Sequence, residues 1–382
     1  MDVYDQAQDE LNNFINKNLP SYSKERNYDY GPDKRNNVSV LSKYVSHRIL
    51  VEYDIINTAL SKHPISKIDK YVQEVFWRVY WKGWLEHRPK VWEDYYNYQP
   101  KEINTDKLNK AIEGNTGIDC FDSWVSELIN NNYLHNHTRM WFASIWIFTL
   151  KLPWQLGANF FMEHLLDGDS ASNTLSWRWV AGLQTVGKHY LATTSNINKF
   201  TNGKYSANDL DEYADPIKED ITYSPIDLNI VKSKPSSSKL IIFDNDLSIK
   251  DRKSVYNNYE NIYLIHISNQ SRNIKLSDNV LKFKYLCLND CKKNFNQAEI
   301  INETNLNQIL TNSEKVDVIY PCIGENYSFI ERYRNQTKIN YIYREEDLFC
   351  WKFSKKGFFN FKKNIPVIID KVIRTKDLFL KD

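Results

Sequence analysis

The chain has 382 residues, enough for two or more domains each with its own core. Its 50 basic and 48 acidic side chains leave a net charge of +2, which excludes a globally basic nucleic-acid binder, so any phosphate-binding surface has to be local. The amino terminus MDVYDQAQDE is acidic without an apolar core, no uncharged run reaches the roughly 18–20 residues of a membrane span, and the five cysteines form no disulfide framework, so a cytoplasmic chain with no membrane partner is expected.

From residue 1 to about 224 the pattern is helical. Ile65 to Arg88 carries Ile68, Tyr71, Val72, Val75, Phe76, Val79 and Tyr80 at helical spacing, and Pro89 is expected to close that helix. Cys120 to Asn130 repeats the pattern through Trp124, Leu128 and Ile129. Arg139 to Lys151 is apolar almost all round, which places it in the middle of a helical bundle and ends it before Pro153. Ten of the eleven tryptophans fall between Trp77 and Trp179, and only Trp351 lies in the second half. Residues 225–238, ending in Lys-Pro-Ser-Ser-Ser, read as a linker.

Beyond the linker the period changes. KLIIFDND, NIYLIHIS, VLKFKYLCL, VDVIYPCIG and INYIYRE read as short strands separated by polar segments. The expected fold is multidomain: an all-α helical domain over 1–224, then a smaller α/β domain over 239–382 with a mostly parallel sheet. Four of the cysteines (Cys287, Cys291, Cys322, Cys350) lie in the second part. Their spacing is poor for an iron–sulfur cluster, so ordinary buried thiols and no metal are expected.

Three segments carry chemistry. The most informative is His135-Asn136-His137-Thr138-Arg139-Met140 followed by DGDSASNTLSWRWVAG, Asp167 to Gly182. The latter run sets two carboxylates, an amide and Trp-x-Trp within about four helical turns, a combination suited to gripping a polar heteroaromatic ring. In VSVLSKYVSHRIL, Ser39 and Ser42 precede a helix; such serines are most often N-caps, but they also offer hydroxyls to a pyrophosphate beside free backbone N–H groups. In VQEVFWRVYWKGWLEHRP, Glu74, Trp77 and Arg78 share one helix, where Glu74 and Arg78 alone would be a surface ion pair worth a few tenths of a kcal/mol.

Together these segments resemble the flavin-binding domain of the photolyase/cryptochrome family, over roughly residues 26 to 203. The resemblance implies a light-dependent flavoprotein that holds FAD, in an atypical form lacking the amino-terminal antenna domain. It places Ser39, Ser42 and Arg78 on the cofactor phosphates. Arg139 and Asp167 match a buried pair beside the isoalloxazine ring, and Asp169 a carboxylate on the ring or ribityl chain. Asn173 matches the residue next to flavin N5, where a neutral amide suits an anionic reduced flavin and leans toward repair. Glu74 and Trp77 face the substrate, and Trp77 with Trp179 would wedge an extruded dimer. Trp177 and Trp154 match the first two members of an electron-transfer triad; Trp92, Tyr98 or another tyrosine is left to serve as the third.

Asn136 and Met140 are the choices of cyclobutane-type relatives, where (6-4) relatives carry His. Two positions depart from the family: His137 replaces an Arg that helps hold DNA, and Val40 replaces a phosphate-contacting Arg. The implied activity is that of a deoxyribodipyrimidine photolyase, a lyase splitting cyclobutane pyrimidine dimers in UV-damaged DNA, single- or double-stranded, by electron transfer from photoexcited reduced FAD. The alternative is a cryptochrome-like blue-light photoreceptor without repair. In the second half, KLIIFDNDL and WKFSKKGFFNFKKNIP resemble pieces of an antenna domain, so an antenna-like domain with a second chromophore of unknown identity stands beside an unrelated α/β module. Lys352, Lys355, Lys356, Lys362 and Lys363, interleaved with Phe353, Phe358, Phe359 and Phe361, read first as solvated lysines over a buried aromatic stripe and second as a nucleic-acid face.

Overall fold

The apolar stripe of Ile65–Glu86 makes a 22-residue helix that buries every residue of the predicted series, and the rest of the first half is arranged around it. The computed structural model describes residues 2–230, 234–249 and 252–375; residues 231–233 of the predicted linker and 376–382 of the predicted α/β domain lie outside the described residues. Pro89 does more than close the long helix. It is the first residue of a second one, Pro89–Tyr96, where a missing N–H costs nothing. Helix Asp119–Asn131 stops at Asn132 in the left-handed conformation. The all-apolar run becomes helix Asn136–Ser144 and a π-helical turn, Ile145–Thr149, with Trp141, Phe142, Ile145 and Trp146 fully buried. Pro153 then precedes helix Trp154–His164.

The second half is a five-stranded, all-parallel sheet in the order β3-β2-β1-β4-β5, with β1 Lys239–Phe243, β2 Asn261–Ile265, β3 Ala298–Ile301, β4 Lys315–Ile319 and β5 Lys338–Ile342. Four of the five predicted strands are present. The fifth, VLKFKYLCL, is instead part of helix Asp278–Lys292. Its Leu-Lys-Phe-Lys-Tyr alternation imitates a strand, but the Ser277 hydroxyl caps Val280 N–H, and Val280, Cys287, Leu288 and Cys291 form the buried helical face while Tyr285 and Leu286 stay exposed. The short edge strand β3 has too few apolar residues to announce itself.

One apolar core runs through both halves. Trp351, the lone tryptophan of the second half, packs where Gly83 of the long helix has no Cβ; a methyl there would lie 2.5 Å from its ring. Arg48 of the helical half is buried between Asp246, just beyond β1, and Asp347 of helix Glu345–Trp351, at 3.1 and 2.7 Å, with Glu52 3.7 Å from its Nε. The predicted linker is pinned as well: Ile226 exchanges hydrogen bonds with His87, and Ser236 and Ser237 donate to Asp317 on β4.

Open parallel sheets bind ligands outside the carboxyl ends of their strands where the strand order reverses, here between β1 and β4. That crevice is capped by the helical half and keeps about 40 Å³, lined by Asn245, Asp246, Pro321 and Cys322 on one side and Arg48, Lys82 and Asp169 on the other. The space suits one or two waters, not a chromophore. Beside it Glu86 is buried, accepting from Tyr320 O–H at 2.7 Å and Ile323 N–H at 2.8 Å, and burial raises its carboxyl to about 7. A carboxyl raised on folding contributes stability at low pH that is lost as pH rises from its unfolded value through about 7. His47 and His135, both held near 4 by burial, act in the opposite direction. The difference in urea-denaturation free energy between wild type and Glu86→Gln should therefore shift in favour of the variant between pH 5 and about 7, and a pH-independent difference would refute the buried carboxyl.

All five cysteines are buried and unbridged, and the thiols of Cys120 and Cys291 are pushed up to about 12 by burial. Among the described residues no group of three or more His, Cys, Asp or Glu side chains is placed to hold a metal, and no helix is long and apolar enough to cross a membrane.

Candidate flavin and substrate cavity

A cavity of about 620 Å³ opens in the helical half, lined by residues of all three sequence segments. Ser39, Ser42, Glu74, Trp77, Arg78, Asn136, His137, Arg139, Met140, Asp167, Asp169, Asn173, Trp177 and Trp179 all reach its wall. Trp154 does not; it lies behind the wall on its own helix.

One end is built for an anion and a polar ring. Arg139 meets Asp167 at 2.9 Å, with the carboxylate buried and the guanidinium partly open to the cavity. Burial pushes the Asp167 carboxyl up, but Arg139 beside it and the Ser42 hydroxyl outweigh burial and hold it ionised. Arg78 donates to the Ser46 hydroxyl at 2.6 Å, which in turn donates to the Asp167 carbonyl at 2.8 Å. This ties the long helix to the loop before helix Ser170–Ala181. Val40, between Ser39 and Ser42, has φ +53°, a left-handed conformation that a β-branched residue adopts only where its surroundings impose it.

Asp169 caps helix Ser170–Ala181 by accepting from Ser172 N–H at 2.8 Å. Lys82 and Arg78 nearby keep its carboxyl below the usual range despite burial. One turn on, the Asn173 amide donates to the Ala158 carbonyl at 2.9 Å. Because a carbonyl only accepts, that bond fixes the Asn173 nitrogen and leaves its oxygen as a free acceptor.

The opposite side presents the substrate-type residues. Asn136, exposed, and Met140, half-buried, lie one turn apart on helix Asn136–Ser144. Glu74 is raised by burial, a shift that its partner Arg26 at 2.8 Å opposes. Trp179 stacks on Tyr190 at 5.8 Å. Two residues have tasks the sequence did not announce. His137 is buried, with Nδ1 2.9 Å from the Asn27 carbonyl and Nε2 3.1 Å from the Tyr190 hydroxyl, its ring on Trp141 at 4.2 Å. Nδ1 donates to the Asn27 carbonyl, the Tyr190 hydroxyl lies between Nε2 and Asn196 Oδ1, and burial, which lowers the imidazole's basicity, favours the neutral ring. Trp77 has one face covered by Phe358, stacked at 3.6 Å and 12°.

Sequence reasoning missed Arg26, Tyr133, Trp81 and Ser172, all on the cavity wall. Their signal is spatial: Arg26 meets Glu74 across 48 positions.

Residues 71–227 match the family described as the FAD binding domain of DNA photolyase. That stretch of the helical half is thus similar to a photolyase-type FAD-binding domain. Its cofactor is FAD. Among curated relatives, the deoxyribodipyrimidine photo-lyase of Neurospora crassa is 29% identical over 185 residues, 45% of this chain and 29% of the relative. That of Streptomyces griseus is 34% identical over 152 residues, 38% of this chain and 32% of the relative. This chain therefore spans about a third of the length of these relatives. Among solved structures, a class III photolyase from Agrobacterium tumefaciens aligns at a TM-score of 0.43 and 25% identity, covering 52% of this chain and 42% of that one.

The residues present fit the cofactor. The photolyase-type cavity is large enough for a dinucleotide-sized ligand, and it contains buried polar atoms, Arg78 Nε and Ser172 Oγ, that no protein group satisfies. Arg78, Ser39 and Ser42 would hold its phosphates, and Arg139, Asp167, Asp169 and Asn173 its ring system.

Proposed function

We propose that the chain is a light-driven lyase that splits cyclobutane pyrimidine dimers in UV-damaged DNA. The observation that carries this reading is that the ring-holding residues Arg139, Asp167 and Asn173 share one open cavity with Glu74, Asn136 and Met140. Held by Ser39, Ser42, Arg78, Arg139, Asp167, Asp169 and Asn173, reduced FAD would supply light-driven one-electron chemistry with no net redox change in the substrate. The protein's part is placement. Asn136 and Glu74 offer hydrogen bonds to pyrimidine edges, Met140 gives an apolar contact, and Trp179 gives a flat wall for an extruded base pair. The Asn173 oxygen accepts a hydrogen bond without adding a charge near the ring. His137, neutral and already bonded on both nitrogens, offers no cation where a duplex backbone would need one, which favours single-stranded or locally opened DNA.

The α/β half, 239–382, shares its core with the helical half and is antenna-like in its five parallel strands; a second chromophore would have to sit outside the 40 Å³ crevice at its strand ends. Five buried free thiols suit a reducing cytoplasm. The cryptochrome-like photoreceptor remains the second reading, favoured by Phe358 already covering one face of Trp77.

The test is loss of a thymine dimer from single- and double-stranded oligonucleotides under blue light, using chemically reduced protein and a dark control. Light-dependent turnover is expected, with the single strand the better substrate. No repair of either substrate by protein that holds photoreducible flavin would replace the lyase with the photoreceptor.

A further inference from the structure

We propose that the segment Lys352–Lys363 forms a rim behind Trp77, beside the flavin cavity, and grips the phosphodiester backbone of a single DNA strand whose base enters that cavity. This rests on the reading of the cavity as a DNA-lesion site, and adds a surface from the other half of the chain.

Three observations converge on it. The first is charge. Between Asp347 and Asp370 the chain holds five lysines, Lys352, Lys355, Lys356, Lys362 and Lys363, and no acidic residue, in a protein whose total charge is only +2. Lys352, Lys356 and Lys363 are exposed. Of the five, only Lys355 has an ion pair among the described residues, with Asp227. The others are available to phosphates.

The second is position. Helix Phe358–Lys363 docks on the long helix through Phe358, which stacks on Trp77 at 3.6 Å, and through Phe361, which meets Phe76 and Tyr80 at 6.0 and 5.7 Å. Trp77 itself lines the cavity. The helix therefore stands one aromatic ring behind the wall that would face an extruded base.

The third is the exposed ring. A solvated lysine face over a buried stripe accounts for Phe358 and Phe361, 7% and 0% exposed, but not for Phe359 between them at 82%. An aromatic face in water, flanked by lysines without ion pairs among the described residues and close to the cavity, is the arrangement by which proteins hold single strands: cations track the backbone and a ring stacks on a base. An acidic peptide would use the lysines and leave Phe359 without a matching flat partner.

The experiment uses the full-length, FAD-loaded protein and two variants, Phe359→Ala and the triple exchange Lys352→Glu, Lys356→Glu, Lys363→Glu. All the exchanged residues are exposed, so flavin content and thermal midpoint should match wild type. Fluorescence anisotropy with dimer-containing and undamaged single-stranded oligonucleotides, each over a salt series, gives affinity and salt slope. The triple variant should bind both oligonucleotides about tenfold or more weakly at low salt, with the slope of log K against log salt shallower by about 2 for three lost phosphate contacts. Phe359→Ala should weaken both severalfold and leave the slope unchanged. Unchanged affinity and slope in flavin-loaded variants would overturn the rim. Wild type that binds DNA through this segment without repairing it would overturn the lyase and leave the rim standing, and wild type that binds neither oligonucleotide would overturn both.

Discussion

Replacing Arg48 by Met is expected to destabilise the folded chain by about 3–5 kcal/mol, the cost of leaving a buried charge without its partner. Arg48 is 2% exposed and faces three carboxylates. Two of them keep a cation after the change: Asp246 has Arg344, and Glu52 has Lys82. Among the described residues Asp347 keeps only the Tyr53 hydroxyl, so the loss falls mainly there. Urea denaturation measures it, as a lower midpoint. The double variant Arg48→Met, Asp347→Leu should recover much of the loss, since an apolar pair of similar volume removes the stranded charge. A loss below about 1 kcal/mol for Arg48→Met would mean that water reaches Asp347 and that the ion cluster contributes little.

Trp154→Phe is expected to slow light-driven reduction of the oxidised cofactor about tenfold or more, while chemically pre-reduced protein repairs at the wild-type rate. Trp177 is fully buried between Trp146 and Phe161, and the N–H groups of Trp177 and Trp154 have no hydrogen-bond partner among the described residues. An oxidised indole there has no neighbour to take its proton, so the positive hole persists long enough to move. From Trp154 the rings continue outward: Tyr95 is stacked at 5.4 Å, Trp92 lies 5.5 Å from Tyr95, and half-buried Tyr96 lies 5.2 Å from Trp92. Phe cannot be oxidised in this range, which breaks the series while preserving packing. Steady-state photoreduction with an external thiol reads the rate. An unaltered rate would assign the electron route to other rings, and loss of repair in the pre-reduced variant would make Trp154 structural.

The site was legible where its parts are close in sequence. Arg139 lies on helix Asn136–Ser144 and Asn173 on helix Ser170–Ala181, with Asp167 and Asp169 just before the latter and one helix between, and each type is unusual enough for a buried setting to stand out. Helix Ile65–Glu86 was legible because its apolar period repeats over six turns. What was hidden depends on contacts across hundreds of positions. Neither the Trp77–Phe358 stack nor the Arg26–Glu74 pair leaves a local trace, and both bear on how open the substrate side is. His137 reads as a substitute for a DNA-binding Arg; only Asn27 and Tyr190, brought from elsewhere, show that it is buried and already hydrogen-bonded within the protein. VLKFKYLCL reads as a strand from its short run of branched and aromatic residues, whereas the Ser277 cap and the i, i+7, i+8, i+11 burial of Val280, Cys287, Leu288 and Cys291 favour a helix.

The pinned connection between the halves has a consequence for how the molecule is assembled. His87 fastens it at one end and Asp317 at the other, and the core passes beneath it from Gly83 to Trp351 without interruption. A cut between those two anchors would remove covalent continuity and leave every one of these contacts in place. The peptide here serves chiefly to raise the local concentration of one half around the other during folding. Once they have met, the chain order of the two halves is a matter of history, and the finished particle is indifferent to it.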